Sequence, residues 1–180
     1  MSKKLTEVSK FLSYMLRHEP EATGLSLDKG GWASVSELII CANKKGYVLD
    51  HDLLCSIVHN SDKKRFTISD DGLYIRADQG HSTQQVNICY QEKTPPNILF
   101  HGTATRFLAS IRGQGLTPQK RHHVHLSFDK DTAFQVGLRY GKPAVLKIKS
   151  LSMHELGFKF YQADNGVWLT EQVPYQFIQE

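Results

Sequence analysis

The chain has 180 residues, 40% of them hydrophobic and 22% charged, with a formal net charge of +4. That length suits one domain or two small lobes around an ordinary buried core, and the sequence lacks both an apolar run near the roughly 20 residues of a membrane-spanning helix and a secretory apolar stretch after Met1-Ser2-Lys3-Lys4. Residues 1 to 94 hold 12 basic and 12 acidic side chains and residues 95 to 180 hold 10 and 6, so the positive excess lies in the second half. With the local basic patch Lys63-Lys64-Arg65 in the first, an acidic partner or ligand fits both halves, although such a run is more often a solvated face.

Leu5 to Arg17 reads as an amphipathic helix, with Val8, Phe11, Leu12, Met15 and Leu16 on one stripe and its end before Pro20. Arg17 and His18 stand at its negative pole, a position that favours a cationic side chain but more often carries an idle surface pair. Gly30-Gly31-Trp32 marks a turn. Ser34-Val35-Ser36-Glu37 is a capping box for a helix that runs to Lys44 or Lys45 and closes at Gly46. A third helix starts after Asp50, buries Leu53, Leu54, Ile57 and Val58, and stops at Asn60-Ser61-Asp62. The period then changes to alternation in Arg65-Phe66-Thr67-Ile68 and Leu73-Tyr74-Ile75-Arg76, around the hairpin signal Asp70-Asp71-Gly72. Three helices and a hairpin predict a winged-helix lobe over residues 1–90.

Arg76 to Ser82 has no helical period and contains Gly80; it is either a plain connection or a loop that grips an anion or a sugar. Residues 91–96, QEKTPP, read as the linker, because a double proline continues neither regular element. Ile98-Leu99-Phe100 then forms a strand expected to end at His101-Gly102-Thr103. A helix through Phe107, Leu108 and Ile111 closes at Gly115, and Val124, Leu126 and Phe128 alternate as a strand. Asp129 caps a helix from Lys130 to Tyr140, ended by Gly141. A strand from Pro143 to Lys149, a short helix from Ser150 to Leu156, a hairpin of 157–162 with 167–169, and a last strand from Tyr175 to Ile178 complete the chain. The whole predicts an α+β fold with a curled or split sheet over residues 97–180. With no G-x-G-x-x-G and no Walker loop, a nucleotide must be held some other way.

Several blocks now stand together: Arg17-His18, KKRF at 63–66, IRADQGHS at 75–82, HGT at 101–103, RHHVHLS at 121–127, Val136-Gly137-Leu138-Arg139 and Gly166-Val167-Trp168-Leu169-Thr170. Each alone is weak. In this order and spacing they resemble the RNA 2′-phosphotransferase family, over nearly the whole chain.

The resemblance implies a winged-helix RNA-binding lobe joined to an ADP-ribosyltransferase-like lobe that binds NAD. It implies removal of an internal 2′-phosphate from RNA, at a tRNA-like splice junction, in two steps. The phosphate first attacks the nicotinamide ribose of NAD, giving an ADP-ribosylated RNA; the neighbouring ribose hydroxyl then attacks phosphorus, leaving 2′-OH RNA, ADP-ribose 1″,2″-cyclic phosphate and nicotinamide. ADP-ribosylation of other phosphates is a second outlet of the same chemistry. By the same resemblance Arg17, His18, Arg65 and Arg121 are the catalytic set. His101, Gly102, Thr103, Ser127 and Arg139 bind NAD, and Arg76, Gly80, His81 and Ser82 meet the substrate or bridge the lobes.

This residue set suits the chemistry. A phosphate dianion attacking an activated sugar needs positioning more than a base, and guanidinium groups hold phosphate bidentately without losing charge. The second step needs a hydroxyl deprotonated, which suits the histidine His18, and charge on phosphoryl oxygens balanced, which suits Arg121.

Other residues carry duller readings. His122, His123 and His125 have no carboxylate or thiol beside them, so no metal is expected. Trp32 and Trp168 read as packing aromatics, and Glu171 as structural. Cys41, Cys55 and Cys89 form no C-x-x-C pair, which predicts buried, reduced thiols in a cytoplasmic protein. A monomer is the expected state. Two other function classes compete: an ADP-ribosyltransferase that stops at stable attachment, against which the four-residue catalytic set argues, and a winged-helix duplex binder, against which the missing basic recognition stripe argues.

Overall fold

The computed structural model describes residues 3–60 and 64–180. The helix stop at Ser61-Asp62 and Lys63 of the KKRF block lie outside the described residues. The chain divides into two compact units, Met1–Cys89 and Tyr90–Glu180.

In the first unit, α1 (Lys3–Arg17) buries Val8, Leu12, Met15 and Leu16, one stripe at helical spacing. A short α2 (Pro20–Thr23) follows, which the sequence reading did not foresee: Pro20 presets the first turn of a new helix, and Gly24 ends it with φ 79°. Helix α3 (Val35–Lys44) starts on Ser34, whose hydroxyl accepts the Glu37 N–H at 3.5 Å, and α4 (His51–His59) starts on Asp50, whose carboxylate accepts the Leu53 N–H at 2.8 Å. Strands β1 (Trp32–Ser34), β2 (Phe66–Ile68) and β3 (Tyr74–Ala77) pair antiparallel in the order β1-β3-β2. Leu38, Leu54, Ile57, Phe66 and Ile75 close the core between helices and sheet.

The second unit holds two three-stranded sheets. Strands β4 (Leu99–Ala104), β6 (Pro143–Ile148) and β9 (Ile178–Gln179) form one, ordered β4-β6-β9; β5 (Val124–Leu126), β7 (Phe160–Gln162) and β8 (Trp168–Thr170) form the other, ordered β5-β8-β7. A single antiparallel bridge, Phe100 with Ser127, joins β4 to the residue just past β5. Helices α5 (Leu108–Gln114), α6 (Lys130–Gly137) and α7 (Ser150–Glu155) complete the unit, α6 lying against β4 and β6. Residues 91–96, read above as the linker, include an antiparallel bridge from Glu92 to Tyr161 and a Lys93 N–H donated to the Phe160 carbonyl at 2.9 Å. Mixed helices and small antiparallel sheets make this an α+β fold.

Four local expectations are corrected. The strand does not stop at His101-Gly102-Thr103: β4 runs through all three, paired to Val145 and its neighbours on β6. Phe128 is 67% exposed, because the ladder of β5 ends at Leu126 and Asp129 already caps α6. Tyr175–Phe177 winds as a 3₁₀ turn before β9, its Phe177 N–H donating to the Pro174 carbonyl at 3.1 Å, because Pro174 at φ −60° opens a turn. Only Cys41 is a buried thiol; Cys55 is half-buried and Cys89 exposed.

Candidate active site

The residues singled out in the first unit gather at the C-terminal end of α1. Arg17 is its last residue, and its Nη2 donates to the Arg65 carbonyl at 3.2 Å while its guanidinium carbon lies 5.8 Å from the Phe66 ring. The same Arg65 carbonyl accepts the Asp78 N–H at 3.1 Å. Asp78 is buried, and its carboxylate accepts the Thr67 hydroxyl at 2.6 Å, which fixes the start of the loop after β3. That loop returns to α1: the Ser82 N–H donates to the Arg17 carbonyl at 2.8 Å, and the Ser82 hydroxyl meets His18 Nδ1 at 2.9 Å. Gly80, at φ 89°, turns the loop past the Arg17 side chain, which a Cβ there would touch at 3.8 Å.

Arg76 and His81 are placed by their neighbours. Arg76 lies opposite Trp32 in the β1–β3 ladder, its guanidinium carbon 4.7 Å from the Trp32 ring centre, a cation–π contact that makes Trp32 a support. His81 is buried beside Gly31, where a Cβ would stand 3.2 Å from its Nε2. Residues far apart in sequence, Arg17, His18, Arg65, Gly80 and Ser82, therefore meet through side-chain and main-chain contacts.

In the second unit the candidates gather where β4 meets β5. Gly102 lies against α6 so closely that a Cβ would stand 1.7 Å from the Ala133 carbonyl oxygen. Thr103 is buried, its backbone against Gly137. His101 donates from Nδ1 to the His125 carbonyl at 3.0 Å, because a carbonyl can only accept. Its proton is thereby committed, and Nε2 is left as an acceptor. Burial holds the His101 imidazole below the ordinary histidine value; the bond to His125 opposes this and the Arg121 guanidinium adds to it. His101 is thus a neutral hydrogen-bond acceptor near pH 7.

Arg121 is exposed, in the turn before β5, and its Nη1 lies 2.7 Å from His125 Nδ1. Ser127 exchanges two backbone hydrogen bonds with Phe100, at 2.7 and 2.8 Å, and so sits one strand away from His101. Arg139 is exposed on the 3₁₀ turn Leu138–Tyr140 that follows α6, two residues past Gly137. The helix expected to run to Tyr140 thus changes pitch before Arg139.

The remaining histidines do other work. His123 packs edge-on against Tyr90 and Tyr161, with ring centres 6.0 and 5.7 Å away, and burial keeps it below the ordinary histidine value. Among the described residues, no three of His, Cys, Asp and Glu are grouped to hold a metal. His125 and Asp78 entered the sequence reading without a role. The only signal of the first was its spacing of four from Arg121.

Comparison with known proteins covers the whole of this geometry. A family model described as RNA 2′-phosphotransferase, Tpt1 / KptA family, matches residues 3–172. A protein of Pectobacterium atrosepticum named as a probable RNA 2′-phosphotransferase is 67% identical over 180 residues, the full length of both chains. One of Pseudomonas aeruginosa with the same name is 56% identical over 178 residues, 99% of this chain and 98% of that one. One of Acaryochloris marina, again so named, is 54% identical over 180 residues, 100% of this chain and 99% of that one. The chain therefore belongs to the RNA 2′-phosphotransferase, Tpt1 / KptA family.

Proposed function

We propose that this protein removes an internal 2′-phosphate from RNA by passing it to NAD, leaving 2′-OH RNA, ADP-ribose 1″,2″-cyclic phosphate and nicotinamide. On this reading the first unit is a winged-helix RNA-binding lobe and the second an ADP-ribosyltransferase-like NAD-binding lobe. The observation that carries the proposal is the family match itself, which spans residues 3–172 and with them every motif quoted above.

Residues of the second unit fit a dinucleotide. His101, with its proton held by His125, offers an acceptor suited to a ribose hydroxyl, and Gly102 and Thr103 continue the same strand. Ser127 and Arg139 complete the set. NAD supplies an activated anomeric carbon whose leaving group is neutral nicotinamide, and no metal is called for.

The chain's own groups then have separable tasks. Arg17, Arg65 and Arg121 hold the phosphate through fixed positive charge, which positions it and balances the charge that develops on its oxygens. His18 moves the proton of the attacking hydroxyl, and Ser82, 2.9 Å from its Nδ1, orients the ring. Arg76, Gly80, His81 and Ser82 shape the approach of the substrate. The protein works as a monomer in the cytoplasm, its partners RNA and NAD.

The test is to incubate the protein with NAD and an oligoribonucleotide bearing one internal 2′-phosphate, following both by mass spectrometry. Loss of phosphate with appearance of the cyclic phosphate supports the reading. Stable ADP-ribose attachment, to this RNA or to a terminal phosphate, would replace it with simple ADP-ribosylation. Arg121→Ala is expected to lower kcat by about 10²- to 10³-fold in a folded protein, and a near-normal rate would remove Arg121 from the catalytic set.

A further inference from the structure

We infer that His125 is a positioning residue for the transfer reaction: its side chain sets Arg121 and its main chain sets His101. The inference rests on the function proposed above and adds a residue to it. Arg121 Nη1 lies 2.7 Å from His125 Nδ1. A guanidinium has only donors, so that bond needs a bare Nδ1 and fixes His125 as the neutral imidazole with its proton on Nε2. The His125 carbonyl, 3.0 Å from His101 Nδ1, fixes His101 as the opposite tautomer, with Nε2 bare. One residue thus dictates the orientation of the guanidinium meant for phosphate and the protonation of the imidazole meant for ribose.

His125 is itself well held. It is the middle residue of β5, opposite Leu169 on β8, with buried Val124 and Leu126 on either side of it in the chain. Arg121 has no such support, being exposed in the turn Gln119 to His123, where Gln119 adopts φ 57°. A long side chain in an exposed turn samples many rotamers, and catalysis by fixed charge depends on the charge already being aimed. The acceptor on β5 gives it one direction. The Arg121 charge also reaches His101, where it lowers the imidazole's proton affinity. The two groups are therefore electrostatic neighbours as well as sharing His125.

The test compares His125→Ala and His125→Asn. Asparagine places its Oδ1 near the position of Nδ1 and accepts the same N–H, whereas alanine leaves Arg121 unaimed. His125→Ala is expected to lower kcat for 2′-phosphate removal by about 10- to 100-fold, less than loss of the arginine itself, with KM for NAD changed less than about threefold. His125→Asn is expected to return to within about fivefold of the original rate. The double variant Arg121→Ala/His125→Ala should be no slower than Arg121→Ala alone, since the histidine then has nothing to aim. Equal damage from alanine and asparagine, or additive losses in the double variant, would overturn the role.

A readout without turnover is the ¹⁵N spectrum of the His125 ring near pH 7.5 in the free protein. It should show Nδ1 bare and Nε2 protonated, and Nδ1 should shift in Arg121→Ala. The opposite tautomer refutes the hydrogen bond on which the inference stands. An unmodified protein that removes no 2′-phosphate refutes the proposed function and this role with it, whereas an active protein indifferent to His125→Ala refutes the role alone.

Discussion

Substituting Gly102 by alanine tests how the candidate NAD-binding strand is packed. A Cβ at this position would lie 1.7 Å from the Ala133 carbonyl oxygen, 2.6 Å from the Ala133 carbonyl carbon and 3.0 Å from the Gly137 nitrogen. All three are backbone atoms of α6, so no rotamer change relieves the clash, and contacts under 3.0 Å do not occur in real proteins. Helix α6 must lift off β4 along its contact, opening the seam where Thr103 and Gly137 meet. Overpacking of this kind costs about 3 kcal/mol or more, equivalent to a fall in Tm of roughly 6 to 12 °C for a chain of this size. Gly113→Ala is the control: it lies in α5, nothing stands within 4 Å of its Cβ position, and its φ is not positive. The same added methyl group should there stabilise by up to about 1 kcal/mol through helix propensity. Urea unfolding followed by circular dichroism measures both. If Gly102→Ala unfolds within about 0.5 kcal/mol of the unmodified protein, the close approach of β4 and α6 is wrong.

The other predictions concern protons and caps. His101 and His123 are both held below the ordinary histidine value, chiefly by burial, so the unfolded chain takes up protons that the folded protein refuses. Stability should therefore be full above about pH 6.5 and decline as pH falls below it, by at most about 1.4 kcal/mol per pH unit for each such group; His101→Asn should flatten the slope of a pH series of urea titrations, and an unchanged slope would refute the assignment. Asp129 accepts the Thr132 N–H at 2.7 Å, and bonds to Thr132 hold its carboxyl below the usual range. Its contribution is present above the ordinary aspartate value and disappears as pH falls through the lowered one. Asp129→Ala should cost about 0.5 to 2 kcal/mol at neutral pH and Asp129→Asn much less, which thermal melting can distinguish. Phe160→Ala, at a fully buried position, should cost about 3 to 5 kcal/mol; a loss below 1 kcal/mol in urea unfolding would mean that the second core is not packed as described.

Local chemistry determined much of this fold. Ser34, Asp50 and Asp129 announced their helices because a cap needs only a side-chain acceptor three residues ahead of an N–H. Hydrophobic period identified α1, α4 and the hairpin β2–β3, because each element buries one face. The sequence also supplied the family, since its motifs are read in order along the chain. It could not supply what depends on distant neighbours. Strand β4 passes through His101-Gly102-Thr103 because β6 pairs with it along its whole length and α6 covers Gly102, and neither partner is visible from those three residues. Phe128, Cys55 and Cys89 are as apolar in the sequence as the core, yet exposure is decided by what the fold brings over them. Arg17, Arg65 and Ser82 stand scattered along the chain, and tertiary structure alone joined them, the Arg17 guanidinium donating to the Arg65 carbonyl and the Ser82 N–H to the Arg17 carbonyl. The tautomers of His101 and His125 were set in the same way, because a ring nitrogen takes its role from the atom opposite it, which only the folded backbone provides.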